Sequence, residues 1–136
     1  MPTNDAAAVA RRYCEIYSDG TPDSYGSERV VELFSPECEW IEHSNLNGLR
    51  RGGREDVRKA LRDNAGLLRD RRIELHRVIG SGEEAAMHGT WSAKLAEDAL
   101  GHAKGTRVMA DVVSLLRVRD GFIVRLEDFV THFRAA

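Results

Sequence analysis

The sequence predicts an α+β fold in which a curved, mostly antiparallel sheet wraps N-terminal helices into a cone-shaped barrel. Three observations lead there. Apolar residues recur at three- and four-residue spacing early in the chain and at two-residue spacing late in it. Helical segments precede a run of long strands instead of alternating with them, which is an α+β layout. Asp120-Gly121, between Val118 and Phe122, is a strong two-residue hairpin signal, because a type I′ turn needs positive φ at both positions.

The elements follow in order. Residues 5–19 read as a helix with Val9, Tyr13, Ile16 and Tyr17 on one stripe. Asn4 or Asp5 can cap it, and Ser18-Asp19-Gly20-Thr21-Pro22 ends it. A short second helix, about 27–34, turns Val30, Leu33 and Phe34 inward and stops at Ser35-Pro36. Glu37 to His43 alternates as a strand: Cys38, Trp40 and Glu42 share one face, Glu39, Ile41 and His43 the other. A loop with Asn45, Asn47, Gly48, Gly52 and Gly53 leads to a third helix, about 54–68, with Val57, Ala60, Leu61, Asn64 and Leu68 on its stripe. Arg69-Asp70-Arg71-Arg72 reads as a polar break. Strands are then expected at about 73–79, 85–95, 107–118 and 122–132, the first turn being Gly80-Ser81-Gly82. The expected order is α-α-β-α-β-β-β-β. Strands this long curl, and a curled sheet packed on a helix leaves a cone with an open mouth.

The 136 residues suit one domain, read as residues 1–136. With 42% hydrophobic and 31% charged residues the composition is that of a folded domain. No apolar run of ~18 residues is present, and the first five residues have no basic or apolar leader character, so the expectation is a cytoplasmic protein without membrane contact. Cys14 and Cys38 are too few for a disulfide framework and are expected to be buried thiols. The net charge of −2 is uneven: residues 1–49 carry three basic against nine acidic residues, 50–77 ten against five, and 78–136 seven against eight. The basic stretch holds no aromatic residue, which argues against nucleic-acid binding.

The order of elements, with "VRDGFIVRLEDF" closing the chain, resembles the nuclear transport factor 2-like superfamily. Within it the SnoaL-like polyketide cyclases and ketosteroid isomerases are most similar. "ARRYCEIY", "LFSPECEWIEH" and "GGREDVRKAL" fall where that family has its first helix, first strand and third helix. The resemblance implies a pocket between the first helix and the concave sheet face, and a homodimer formed through the convex face, where Trp40, Val113 and Leu115 are expected.

It also implies roles. Tyr13 falls at the isomerase tyrosine that donates to an enolate oxygen, a role that suits a hydroxyl on a rigid apolar ring; otherwise it is a core aromatic. His43 falls at the isomerase general base, and histidine moves protons near neutral pH; otherwise it is a surface residue. Ser114 falls where isomerases have a protonated aspartate and the cyclases a histidine, and it matches neither; a hydroxyl donates one hydrogen bond but does no acid–base work near pH 7. Asp128 lies fourteen residues after Ser114, as the cyclase aspartate follows its histidine. An acid on an apolar face makes a better base; the other reading is a strand-end carboxylate bound to backbone or Arg.

By parity, Met87 and Trp91 share a face, as do Val112, Ser114 and Leu116, and Val124, Leu126 and Asp128. Together with Tyr17 they suggest a wide, flat, apolar pocket for a small apolar or aromatic ligand, or simply a core. His88 and Asp111 fall outside. The five histidines form no metal-ligand pair, and no phosphate loop or nucleophile elbow appears, so no metal and no cofactor are expected. Two functions follow: cofactor-free isomerisation, cyclisation or dehydration next to a carbonyl, or non-catalytic ligand binding or dimerisation on the same fold.

Overall fold

A computed structural model describes residues 5–19, 28–63 and 65–136. Helix α1 (Ala6–Tyr17) starts where Asp5 accepts hydrogen bonds from the backbone N–H groups of Ala7 and Ala8. Ser18 caps its other end; the remaining expected stop residues, 20–22, and Asn4 lie outside the described residues. Helix α2 is one turn, Glu28–Val31, shorter than the expected 27–34. Strand β1 (Phe34–Ser44) takes over at Phe34 and carries Ser35-Pro36 inside it, so that pair does not end a helix. A proline is tolerated there because the β1–β6 ladder is interrupted between Phe34 and Glu39.

The expected loop after residue 44 contains a strand, β2 (Gly48–Gly52), paired antiparallel with β1. Helix α3 (Arg54–Asp63) buries Val57 and Leu61. It is shorter than expected: Asn64 lies outside the described residues, and Leu68 opens β3 (Leu68–Ser81). The expected polar break is therefore strand. Its register slips between Arg69 and Arg72, and Asp70 takes a positive φ of 48°. Such a bulge re-aims side chains, and Arg71 is 3% exposed in consequence. The order is thus α-α-β-β-α-β-β-β-β, completed by β4 (Glu84–Leu95), β5 (Arg107–Arg119) and β6 (Phe122–Ala135). Asp120 and Gly121 have φ of 54° and 82°, as the type I′ hairpin requires.

The six strands run β2-β1-β6-β5-β4-β3, antiparallel except for β1 with β6. Helix α1 packs on β3, β4 and β5 and closes the concave side. Val30, Val31, Phe34, Val118, Ile123 and Leu126 are almost fully buried beneath it. Parity along β6 shifts at an extra residue, Val124, because Arg117 pairs with Arg125 and Val118 with Ile123. Ile123, not Val124, therefore shares the core with Leu126. Cys14 and Cys38 are free and buried, and burial pushes the Cys14 thiol up to about 12. No described helix is long and apolar enough to cross a membrane.

One glycine marks a close approach. A Cβ at Gly89 would lie 2.7 Å from the backbone oxygen of Glu74 on the neighbouring strand. Gly89→Ala is expected to lower stability by about 1–3 kcal/mol, the usual cost of overpacking. A shift of the urea midpoint tests it, and an unchanged midpoint contradicts the close approach.

Candidate active-site cavity

One rung of the sheet assembles most of the site. Met87, Ser114, Asp128, Glu42 and Arg50 pair in turn across β4, β5, β6, β1 and β2. Because successive residues point to opposite faces, Ser114, Asp128, Glu42 and Arg50 all look into the concave side. There they line a cavity of about 160 Å³ with Tyr13, Tyr17, Trp40, Trp91, Val112 and Leu126. Phe34, Val57, Leu61 and Ile73 add apolar wall, and the β1–β2 turn supplies Asn45, Leu46 and Asn47.

Asp128 is the most perturbed acid in that cavity. Burial pushes its carboxyl up to about 6. The Glu42 charge adds to this, while hydrogen bonds from Ser114 and Trp40 and the Arg50 charge oppose it. The Ser114 hydroxyl donates to Asp128 Oδ1 at 2.6 Å, so its one proton is committed to the carboxylate. Glu42 is held by Arg50, whose Nε and Nη2 reach its Oε1 at 3.0 and 2.7 Å. The same guanidinium lies 5.3 Å from the Trp40 ring centroid, a cation–π distance.

Tyr13 stands on α1 with its ring at 81° to Phe34 and the centroids 6.2 Å apart. Burial, then the negative field of Asp128, raises its hydroxyl well above the usual phenol value. It therefore keeps its proton and can donate it in a hydrogen bond. Tyr17 accepts a hydrogen bond from Trp91 Nε1 at 2.8 Å.

Three sequence expectations fall elsewhere. His43 sits on the outer rung, His88-Val113-Phe129-His43-Leu49. It stacks on Phe129 at 4.5 Å and its Nε2 lies 2.8 Å from Glu127 Oε2, so it does not reach the cavity. Trp40, expected on the convex face, is 7% exposed and turned inward, whereas Val113 and Leu115 are each 42% exposed outside. The alternation along β1 was read in the right phase but with the faces exchanged. Met87 is buried against Cys14, Sγ to Sδ 3.7 Å, and packs in the core beside the cavity instead of lining it.

Sequence reasoning missed Glu42, Arg50 and Arg71 as cavity residues. For Glu42 the signal was present: it shares the face of Trp40, the largest apolar side chain of β1. For Arg71 there was none, since its burial depends on the bulge at Asp70. Among the described residues no group of three or more His, Cys, Asp or Glu has the arrangement of a metal site.

The SnoaL-like domain profile matches residues 10–126 of the chain. The protein belongs to the SnoaL-like family. Solved structures share its fold at low identity. IdmH of Streptomyces antibioticus, a candidate polyketide cyclase, superposes with a TM-score of 0.71 at 15% identity over 90% of this chain and 89% of its own. An LEH-like epoxide hydrolase of M. tuberculosis gives 0.66 at 17% over 95% and 84%. A ketosteroid isomerase-like protein of Catenulispora acidiphila gives 0.66 at 13% over 88% and 82%. Identities this low establish the cone-shaped nuclear transport factor 2-like fold and leave the chemistry to the site. No curated protein matches the chain by sequence.

Proposed function

We propose that this SnoaL-like protein catalyses cofactor-free proton transfer next to a carbonyl of a small apolar ring compound, as in an isomerisation, aldol cyclisation or dehydration. The observation that carries the reading is a half-buried carboxyl with a raised pKa, Asp128, in the same cavity as a tyrosine hydroxyl, Tyr13, to which no described residue hydrogen-bonds. Asp128 takes the α-proton, and the C–H electron pair becomes the enolate. Tyr13 donates to the enolate oxygen in surroundings too apolar to solvate that charge otherwise. Ser114 touches only the base and is a positioning residue. Arg50 holds Glu42, which keeps a second negative charge next to Asp128.

The reading predicts hydrogen–deuterium exchange at the α-carbons of 2-tetralone in D₂O, followed by proton NMR. The protein is expected to accelerate it, with a rate that rises as pH passes through about 6, where Asp128 ionises, and then levels. Exchange no faster than buffer, or a rate that falls across that range, would leave a ligand-binding protein without this chemistry.

A further inference from the structure

The proton-transfer reading leaves one cavity tyrosine without a role. Tyr17 follows Tyr13 by one helical turn, about 6 Å along the axis, with the two ring centroids 5.9 Å apart. Its oxygen accepts from Trp91 Nε1 at 2.8 Å, and the Arg71 charge bears on the same hydroxyl. A phenol has two lone pairs and one proton. Trp91 takes one lone pair, and neither it nor the Arg71 guanidinium has an acceptor to offer in return. The O–H must therefore point away from both, and no acceptor among the described residues receives it.

The surroundings suit that donor to an oxygen. Arg71 is 3% exposed and anchored by the carbonyls of Leu61 (2.7 Å) and Leu68 (3.2 Å). A fixed positive charge behind a phenol oxygen strengthens the phenol as a donor, as in other charge-assisted bonds. Tyr17, Trp91 and Arg71 all line the cavity. Trp91 pairs with Ala110, whereas Asp128 pairs with Ser114, four residues along the same strand. That is two same-face steps, roughly 13 Å. The cavity thus has two polar poles with apolar wall between them: Asp128 with Tyr13, and Tyr17 with Arg71.

We propose that Tyr17 donates to a second ligand oxygen, so that the substrates are flat, elongated ring compounds carrying two oxygen functions, one beside Asp128 and one at the Arg71–Tyr17 end. The inference rests on this cavity being the substrate site. Binding of 2-naphthol tests that alone, because it has one oxygen. The second pole is tested by titrating 6-hydroxy-, 6-methoxy- and 6-methyl-2-naphthol, and the 7-substituted set, by fluorescence.

In at least one set, the hydroxy and methoxy compounds are expected to bind more tightly than the methyl compound, by roughly threefold to tenfold, the worth of one hydrogen bond. Tyr17→Phe should remove that preference. Equal binding of oxygenated and methylated probes by the unaltered protein overturns the second pole without any variant. So does a preference that survives in Tyr17→Phe. Failure of every naphthol to bind overturns the second pole together with the substrate site.

Discussion

Asp128→Asn is expected to slow α-proton exchange by roughly 10² to 10⁴-fold, the span that general base catalysis contributes, while making the folded protein more stable near neutral pH. The two effects share a cause. In the folded protein the carboxyl titrates at about 6; the ordinary value, 3.8, stands for the unfolded chain. Between those values the folded state holds a proton that the unfolded state has released. Stability therefore falls as pH rises from about 4 to about 6, and the deficit is constant above that. The difference between 3.8 and about 6 corresponds to about 3 kcal/mol. A neutral amide escapes that cost. Urea unfolding at pH 7.5 should show Asp128→Asn more stable than the parent, by up to about 3 kcal/mol, and the gain should vanish near pH 4. A variant that exchanges α-protons as fast as the parent would remove Asp128 from the chemistry, and one destabilised at both pH values would remove the desolvation argument.

Phe34→Ala is expected to cost about 3–5 kcal/mol, the range for deleting a buried aromatic side chain. Phe34 is 1% exposed, forms cavity wall, and meets Tyr13 edge-on. It also opens β1 against Ile123 of β6, itself fully buried. Loss of the ring should therefore loosen the seat of Tyr13 as well as the core. Phe34→Leu should recover most of the stability. Chemical denaturation measures both, and a loss under about 1 kcal/mol for the alanine variant would show that the site collapses around the gap.

That residue also shows where the sequence was hard to read. Val30, Leu33 and Phe34 fit helical spacing, but Ile123 and the Leu33 carbonyl, which accepts from the Ile123 N–H, draw the chain into the sheet two residues after the helix ends. A partner almost ninety residues away leaves no local trace. The faces of β1 were exchanged for a related reason. Trp40 and Ile41 are both buried, so alternation gives the phase of the strand and not which side holds the cavity. The segment Gly48–Gly52 has no apolar alternation at all, since it is a polar edge strand. By contrast, Asp120-Gly121 demands its turn through its own backbone chemistry, but counting from that hairpin sets Ser114 opposite Glu127, and only the extra residue at Val124 moves the partner to Asp128. Tyr13, Tyr17 and Trp91 were legible because helical and strand periods each place them on an apolar face. Arg71 was not, because an arginine between charged neighbours looks like a loop until Asp70 is known to bend the strand.

The parallel pairing of β1 with β6 has a consequence for how the molecule comes into being. Residues 39–44 find their partners on the β6 side at residues 125–130, so most of the chain must be looped out before that seam can zip. Non-local pairing of this kind slows folding, to the millisecond-to-second range typical of sheet-dominated small proteins. During synthesis the hairpins formed by β1 with β2 and by β3 with β4 have local partners and can arise early. Asp128 reaches the cavity only when the final strand is laid between β1 and β5. The strand that closes the sheet is thus also the one that brings Asp128 into the cavity.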